Sequence, residues 1–445
     1  MAGIFKAYDI RGIYPAELNE SLARKIGMAF PAVIGAKNIV VGRDMRVSAP
    51  SIQKAFIEGA TAVGCDVLDV GMVSTPMNYF AIGFYERDGG AQATASHNPG
   101  KYIGFKVSRE QAIPMSYETG IGEIEEVVKS GHLPAMAMKK GKVETKNIVA
   151  DYKKHLMKFA DKIRPLKIAV DTGNGVVGAF FNEVFGDLPL EIIPLYFEPD
   201  GTFPNHEANP LKPENMRDLQ KAVKEHGADL GAAFDGDGDR SAYVDEQGNI
   251  ISSDLITALL AREILQKEKG AGILYDLRSS WVVKEEILKY GGVPYIDRVG
   301  HAYMKATMRK HGCALGGELS GHYYWRDNYY ADSGEIALIK VLNLLSAEKK
   351  PFSELIKPLR RYFATGEINF KVEDKDGKMR ELEQIFHDGK ISHLDGISVE
   401  YKDWWFNVRK SNTEPVLRLN LEAKTKELME QKKAALIKAI NAPII

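Results

Sequence analysis

One pattern occurs three times in this chain, and it constrains the fold more than any other feature. "NIVVGRDMR", "KIAVDTGNG" and "GILYDLRSS" are short apolar runs that reach an acidic residue, Asp44, Asp171 and Asp276, and then a turn of small or polar residues. Each reads as a buried strand leaving through its carboxyl end. The segments after these turns are also alike. Helix-like periodicity in "APSIQKAFIEGATAVG", "GVVGAFFNEVFG" and "SSWVVKEEILKYGG" gives way to a second β-rich run in "CDVLDVGMV", "LEIIPLYF" and "VPYIDRVG". Strand, helix, strand is a βαβ unit, so three related α/β domains with parallel or mixed sheets are expected. In open α/β sheets, ligands gather beyond the carboxyl ends of the strands, and the unusual motifs should fall there.

From about residue 362 the pattern breaks. "YFATGEINFKVED", "KMRELEQIFHDG", "ISVEYKDWWFNVRKS", "VLRLNLEAK" and "TKELMEQKKAALIKAI" alternate strand and helix signals and read as a separate, smaller α+β domain. The expected division is 1–143, 144–249, 250–361 and 362–445, with joints in charged or Gly/Pro-rich stretches.

Composition excludes several function classes. Lys plus Arg number 59 against 60 Asp plus Glu, so no global field attracts nucleic acid or an anionic membrane, and a charged ligand must be met locally. Cys65 and Cys313 stand far apart without CxxC spacing, which argues against a zinc site or disulfide framework and suits a reducing compartment. "MAGIFKAYDIRG" lacks a signal pattern, and no run approaches the roughly 18 apolar residues of a spanning helix. A cytoplasmic enzyme acting on small molecules, monomeric or dimeric, is the expectation.

Four motifs carry chemistry. "TASHNPG" sets Ser96 beside His97 before an Asn-Pro-Gly turn, open to reading as a nucleophile and base, a phosphate carrier or a polar turn. Adjacent side chains on an extended strand point to opposite faces, so His97 is expected to be badly placed to take the Ser96 proton. "AAFDGDGDR" spaces Asp235, Asp237 and Asp239 with glycines, and three such carboxylates repel unless a cation neutralises them. A calcium loop begun at Asp235 would have Glu246 twelfth but Arg240 where glycine is required, and its flanks look like strands. Mg²⁺, which keeps positions for water and phosphate oxygens, fits better. "RKSNTEP" offers Arg409, Ser411, Asn412 and Thr413 around a turn, suited to a phosphate monoester. "GGELSGH" sets Glu318, Ser320 and His322 on alternate positions, suited to adjacent sugar hydroxyls. Lys106, Arg298 and His301 gain meaning only by convergence with these.

Together "TASHNP", "DGDGDR", "GELSGH" and "RKSNTEP", with "FKAYDIRG" and "VGRDMRVSAP", resemble the α-D-phosphohexomutase family, most closely its bacterial phosphomannomutase/phosphoglucomutase group. The resemblance covers the whole chain. It implies four domains around a central cleft, with a mobile C-terminal domain closing over the substrate phosphate. It also implies that Ser96 is carried as phosphoserine, donates its phosphoryl group to a hexose monophosphate of mannose or glucose, and regains one from the hexose 1,6-bisphosphate formed in the cleft. By position, Asp235, Asp237 and Asp239 would hold Mg²⁺ with a phosphoserine oxygen as a further ligand. Arg11, Lys106 and Arg240 would steady the transferring group, and Lys106, His97 or His301 would shuttle the proton. Glu318, Ser320 and His322 would meet the sugar, and Arg278, Arg409, Ser411, Asn412 and Thr413 the rest of the substrate. Ile103 replaces the family's usual asparagine, and Arg278 a lysine frequent in close relatives. A glucosamine mutase is the nearest alternative. A haloacid-dehalogenase-type phosphatase with Asp235 as nucleophile leaves Ser96 unused, a serine hydrolase lacks a G-x-S-x-G elbow, and a calcium- or sugar-binding protein without activity explains least.

Overall fold

In the computed structural model, which describes residues 3–411 and 415–445, each apolar run forms a strand paired in parallel with the β-rich run that comes after it. The likeness goes further than the sequence pattern. Three sheets repeat one strand order: Asp66–Met72, Asn38–Arg43, Gly89–Ala93, Tyr102–Arg109 and Ile10–Ile13 in the first; Leu190–Leu195, Leu166–Asp171, Leu230–Phe234, Ser241–Asp245 and Ile250–Ile251 in the second; Val293–Asp297, Gly272–Asp276, Leu315–Gly317, Tyr323–Trp325 and Ala331–Asp332 in the third. In each, the first three strands run parallel and the last two antiparallel. The connection between the third and fourth strands is therefore the same structural loop three times. Those loops hold Ser96, the three aspartates, and Glu318 with Ser320 and His322.

Two of the expected helices form, Ala49–Ala62 and Trp281–Lys289. The third breaks into a 3-10 turn, Val176–Ala179, and a short helix, Phe181–Phe185. A Cβ at Gly178 would stand 2.0 Å from the Phe197 carbonyl oxygen, so another stretch of backbone already occupies the space beside this turn. The first sheet takes in Val143–Thr145 at its edge and the second takes in Ile250–Ile251, so both reach two residues past the joints expected at 143 and 249.

One apolar core runs through the three α/β domains and includes Val40, Phe80, Val170, Phe181, Leu259 and Ile339. Its pillar is the helix Gly334–Glu348, with 12 buried residues, which starts where the Ser333 hydroxyl accepts the Ile336 N–H at 3.1 Å. Each such buried aliphatic or aromatic side chain contributes roughly 1.5–3 kcal/mol by leaving water, so these domains are held as one body. The C-terminal domain is different. Its antiparallel sheet, Phe363–Phe370, Leu417–Ala423, Trp404–Lys410, Ile397–Glu400 and Lys390–Ser392, packs with helices Lys375–Ile385 and Lys426–Ile440 around a separate core of Phe406, Leu419 and Leu436. It meets the third domain through polar contacts. The Trp281 backbone N–H donates to Glu422 at 3.0 Å, its indole N–H to Glu400 at 3.0 Å, and the Val299 N–H to Asp395 at 3.3 Å. Cys65 and Cys313 are buried free thiols, and no helix among the described residues is long and apolar enough to cross a membrane.

Candidate active site

Ser96 sits in the left-handed region at φ 50° and is buried at 1% exposure. Its Oγ donates to Asp235 Oδ2 at 2.8 Å and lies 3.2 Å from His97 Nδ1. The expectation that His97 turns away from Ser96 is therefore corrected. It assumed extended backbone, and the positive φ of Ser96 folds both side chains to one side. Burial, then Arg240, Arg11, Lys106 and His322, hold the His97 imidazole well below its ordinary pKa, so the ring is neutral at neutral pH.

The residue that holds this loop lies outside the four motifs. Arg46, fully buried, donates from its guanidinium to the carbonyls of Ser96 at 2.7 Å, Asn98 at 2.6 Å, Pro99 at 2.9 Å and Tyr102 at 3.0 Å. Asp44 anchors it from the other side, accepting Nε at 3.1 Å and the Arg46 backbone N–H at 2.9 Å. The signal lay in "RDMR", but the carbonyls it serves come some fifty residues later. Arg11 adds a further tie, to Asn98 Oδ1 at 2.7 Å, and is itself paired with Asp9.

The three carboxylates converge as the glycine spacing requires, with ligand atoms within 4.8 Å of one another and all three residues buried. Asp237 Oδ2 accepts from Thr75 Oγ1 at 2.6 Å and Lys106 Nζ at 2.7 Å, and the same ammonium reaches Asp239. Burial alone would lower the Lys106 pKa, but Asp237, Asp239 and Asp235 outweigh it and raise it. Asp237 mirrors this: burial works upward and Lys106 pulls it well below the carboxylate range. Asp235 is pushed up by burial and then by its two acidic neighbours. Asp237 Oδ1 and Asp239 Oδ1 are buried without a hydrogen-bond partner among the described residues, which is how a carboxylate waiting for a cation looks. One lysine, with Arg240 3.8 Å from Asp235, leaves room for a divalent ion in the charge balance. The calcium alternative finds no support: strands flank the loop, and Glu246 is engaged elsewhere by Ser353.

The third loop joins this cluster. His322 Nε2 accepts from Arg240 Nε at 2.9 Å, and its Nδ1 stands 2.8 Å from Asp332 and 3.8 Å from Asp239. Asp332 in turn lies 2.6 Å from Lys305, which is completely buried and 3.9 Å from the centre of the Tyr79 ring. His301, first residue of the helix His301–His311, has a ring 6.5 Å from that of His322 and a buried Nδ1 without a hydrogen-bond partner among the described residues. Tyr8, from the N-terminal "FKAYDIRG" stretch, packs edge-on to His301 at 5.7 Å, a contact that no sequence pattern signals. Glu318 accepts from Tyr324 Oη and from Ser320 Oγ at 3.4 Å.

Arg278 connects this loop to the C-terminal domain. It is fixed by Asp276 at 2.8 Å, stands 3.9 Å from Glu318, and reaches Glu367 at 3.4 Å. Glu367, which no motif flags, also takes Arg409 at 2.9 Å and Arg418 at 3.3 Å. The Ser411 backbone N–H donates to the Val416 carbonyl at 3.0 Å, and Asn412 and Thr413 lie outside the described residues. Ile103 belongs to the core of the first domain, fully buried on the strand opposite Gly12. Arg298 lies over the Tyr303 ring at 3.4 Å.

Comparison with known proteins agrees with this geometry. Residues 2–134, 150–248 and 252–362 match the phosphoglucomutase/phosphomannomutase alpha/beta/alpha domains I, II and III, and 367–439 match the C-terminal domain of the same family. A phosphomannomutase of Vibrio cholerae is 41% identical, with 98% of each chain covered, and one of Escherichia coli K12 is 40% identical with 98% of each covered. "Phosphohexose mutases" of Xanthomonas campestris is 40% identical over 94% of this chain and 95% of its own. The crystal structure of a phosphoglucomutase/phosphomannomutase family protein from Burkholderia thailandensis superposes with a TM-score of 0.91 at 34% identity, covering 99% of this chain and 98% of that one. The chain belongs to the phosphoglucomutase/phosphomannomutase family and is a mutase, an intramolecular phosphotransferase of carbohydrate metabolism.

Proposed function

We propose that this mutase interconverts the 1- and 6-phosphates of mannose, glucose or both, through a phosphoserine at Ser96 and a hexose 1,6-bisphosphate that turns over within the cleft. The observation that carries this reading is the Ser96 hydroxyl, 2.8 Å from Asp235 and facing the three-carboxylate loop. In the forward half-reaction the phosphorus–Oγ bond of Ser96 breaks as a bond forms to the free sugar hydroxyl, whose proton leaves to a nearby base. In the return half-reaction the other phosphoryl group passes to Oγ, and the serine proton goes to one of two acceptors, Asp235 at 2.8 Å or His97 at 3.2 Å.

Asp235, Asp237 and Asp239 would hold Mg²⁺, which when bound supplies positive charge to the transferring phosphoryl oxygens. Lys106, Arg240 and Arg11 steady those oxygens from the protein side. Glu318, Ser320 and His322 bind the sugar, and His301 is a second proton carrier beside His322. Arg278, Arg409 and Ser411, with Asn412 and Thr413, grip the distal phosphate, which makes attack by the far hydroxyl effectively intramolecular. The reading is tested by mapping phosphate in the purified chain and assaying mannose, glucose and glucosamine phosphates. Phosphate on Ser96, with Ser96→Ala inactive on mannose and glucose 1-phosphates, supports it. Phosphate on Asp235 instead, or full activity in Ser96→Ala, refutes it, and turnover of the glucosamine phosphates alone moves the assignment to a glucosamine mutase.

A further inference from the structure

Where the three α/β domains meet, outside the catalytic cluster, the surface opens into a cavity of about 740 Å³. That falls within the roughly 300–1,000 Å³ typical of small-molecule sites, which favour domain junctions. Its walls come from the helix Thr75–Phe84 and the Gln111–Ile113 turn of the first domain, from residues 155–159 of the second, and from Arg309, residues 326–330 and Lys340 of the third. None of these residues takes part in the catalytic cluster.

Its chemistry is aromatic and mainly cationic, with four cations against one carboxylate, Asp327, which pairs with Arg326 at 3.2 Å. Phe84, Phe159, Tyr329 and Tyr330 present ring surface, and Phe84 remains 45% exposed. Room for Tyr329 is made by Gly83, where a Cβ would lie 2.4 Å from the ring. Two of the four cations are already neutralised, Arg326 by Glu268 at 2.8 Å and Lys340 by Glu263 at 3.6 Å. The other two have no acidic partner among the described residues. Lys158 is exposed at the rim. Arg309 is braced by the carbonyls of Gln111 at 2.9 Å and Tyr329 at 2.6 Å and stands 5.3 Å from the centre of the Tyr330 ring. Burial lowers its pKa only to about 10, so it stays charged at neutral pH. The backbone is strained at the same place: Gln111, Ala112, Tyr329 and Tyr330 all have φ near 55°. Such a conformation persists only where its surroundings impose it.

A flat ring satisfies the aromatic walls and a phosphate satisfies the two unneutralised cations; a hexose phosphate is too small and too polar to cover the rings. The geometry points to a binding site for a nucleoside phosphate at this junction, its base on the tyrosine and phenylalanine faces and its phosphates on Lys158 and Arg309.

The test is calorimetric titration of the full chain with ADP, adenosine and inorganic phosphate. ADP should bind once per chain, with adenosine and phosphate each at least ~10-fold weaker because each satisfies half of the site. Lys158→Glu, a surface change that leaves the fold intact, and Arg309→Met should each weaken ADP by ~10-fold or more, whereas Arg409→Gln in the C-terminal domain should not. Absence of ADP binding at millimolar concentration overturns the proposal. So does binding that survives Lys158→Glu and Arg309→Met, and so does binding that disappears in Arg409→Gln alone, which would put the nucleotide in the sugar-phosphate cleft.

Discussion

Replacing Arg46 with methionine keeps the side chain long and apolar along its stem and removes every donor that ties down the Ser96 loop. The carbonyls of Ser96, Asn98 and Tyr102 lose the guanidinium, that of Pro99 is left with the Tyr102 N–H at 3.0 Å, and Asp44 keeps a buried charge with its guanidinium gone. Breaking a buried ion pair from one side costs about 3–5 kcal/mol, a large share of the 5–15 kcal/mol that holds an ordinary domain together. The loss falls on the first domain. Because the first domain shares a core with the other two α/β domains, urea unfolding should show an earlier transition for that three-domain body, with the C-terminal domain, which has its own core, unmoved. The catalytic effect is separable from the stability effect. A loop freed by even ~1 Å should cost kcat about 100-fold, with little change in KM because the groups assigned to the sugar and distal phosphate are elsewhere. Arg46→Lys restores the charge but not the fork of donors, so it should recover stability ahead of kcat. A methionine variant within about 1 kcal/mol of the parent, the size of an ordinary point substitution, and with parental kcat would refute the argument that Arg46 builds the Ser96 loop.

Three further expectations are cheaper to check. Burial, partly offset by the hydroxyls of Ser333 and Ser74, raises Glu335 from 4.5 to about 7, so the folded chain keeps a proton the unfolded chain has lost. Its contribution to stability is fully present below about pH 4.5 and is lost as pH rises through about 7, a fall of order 3 kcal/mol that Glu335→Gln should abolish in urea titrations run from about pH 5 to 8. Gly83→Ala should destabilise by about 1–3 kcal/mol in the same assay, because the new methyl meets the Tyr329 ring and ring atoms cannot swing aside as a chain end can. Chelation should abolish mutase activity and Mg²⁺ restore it, whereas Asp237→Asn, which removes a charge from the carboxylate cluster, should stay inactive at any Mg²⁺ concentration while remaining folded by circular dichroism.

The repeats were legible because a buried parallel strand must be apolar throughout and must end in a turn, and both features are local. That the three motif loops are one connection used three times was not legible, since it depends on strand order across whole domains. The carboxylate cluster could be read from Asp-Gly alternation alone. The His97 geometry could not, because it turns on a single dihedral at Ser96 imposed by Arg46, Thr94 and Asp235 from three separate segments. Glu367 carries no motif at all; only the folded chain brings Arg278, Arg409 and Arg418 around it. The broken helix at Val176–Phe185 was missed for a similar reason, as periodicity does not report a backbone crossing at Gly178.

The left-handed backbone at Ser96 also limits which hydroxyl amino acid can serve there. Threonine offers the same oxygen, yet its branched Cβ crowds the neighbouring peptide when φ is positive, at a cost serine largely escapes. Cysteine would fit the dihedral but bring a softer atom. The dihedral thus acts as a filter on the genetic alphabet: a threonine at position 96 should fail as a carrier through its main chain even though its oxygen chemistry is sound, and activity in Ser96→Thr would mean that the loop can relax out of its left-handed conformation.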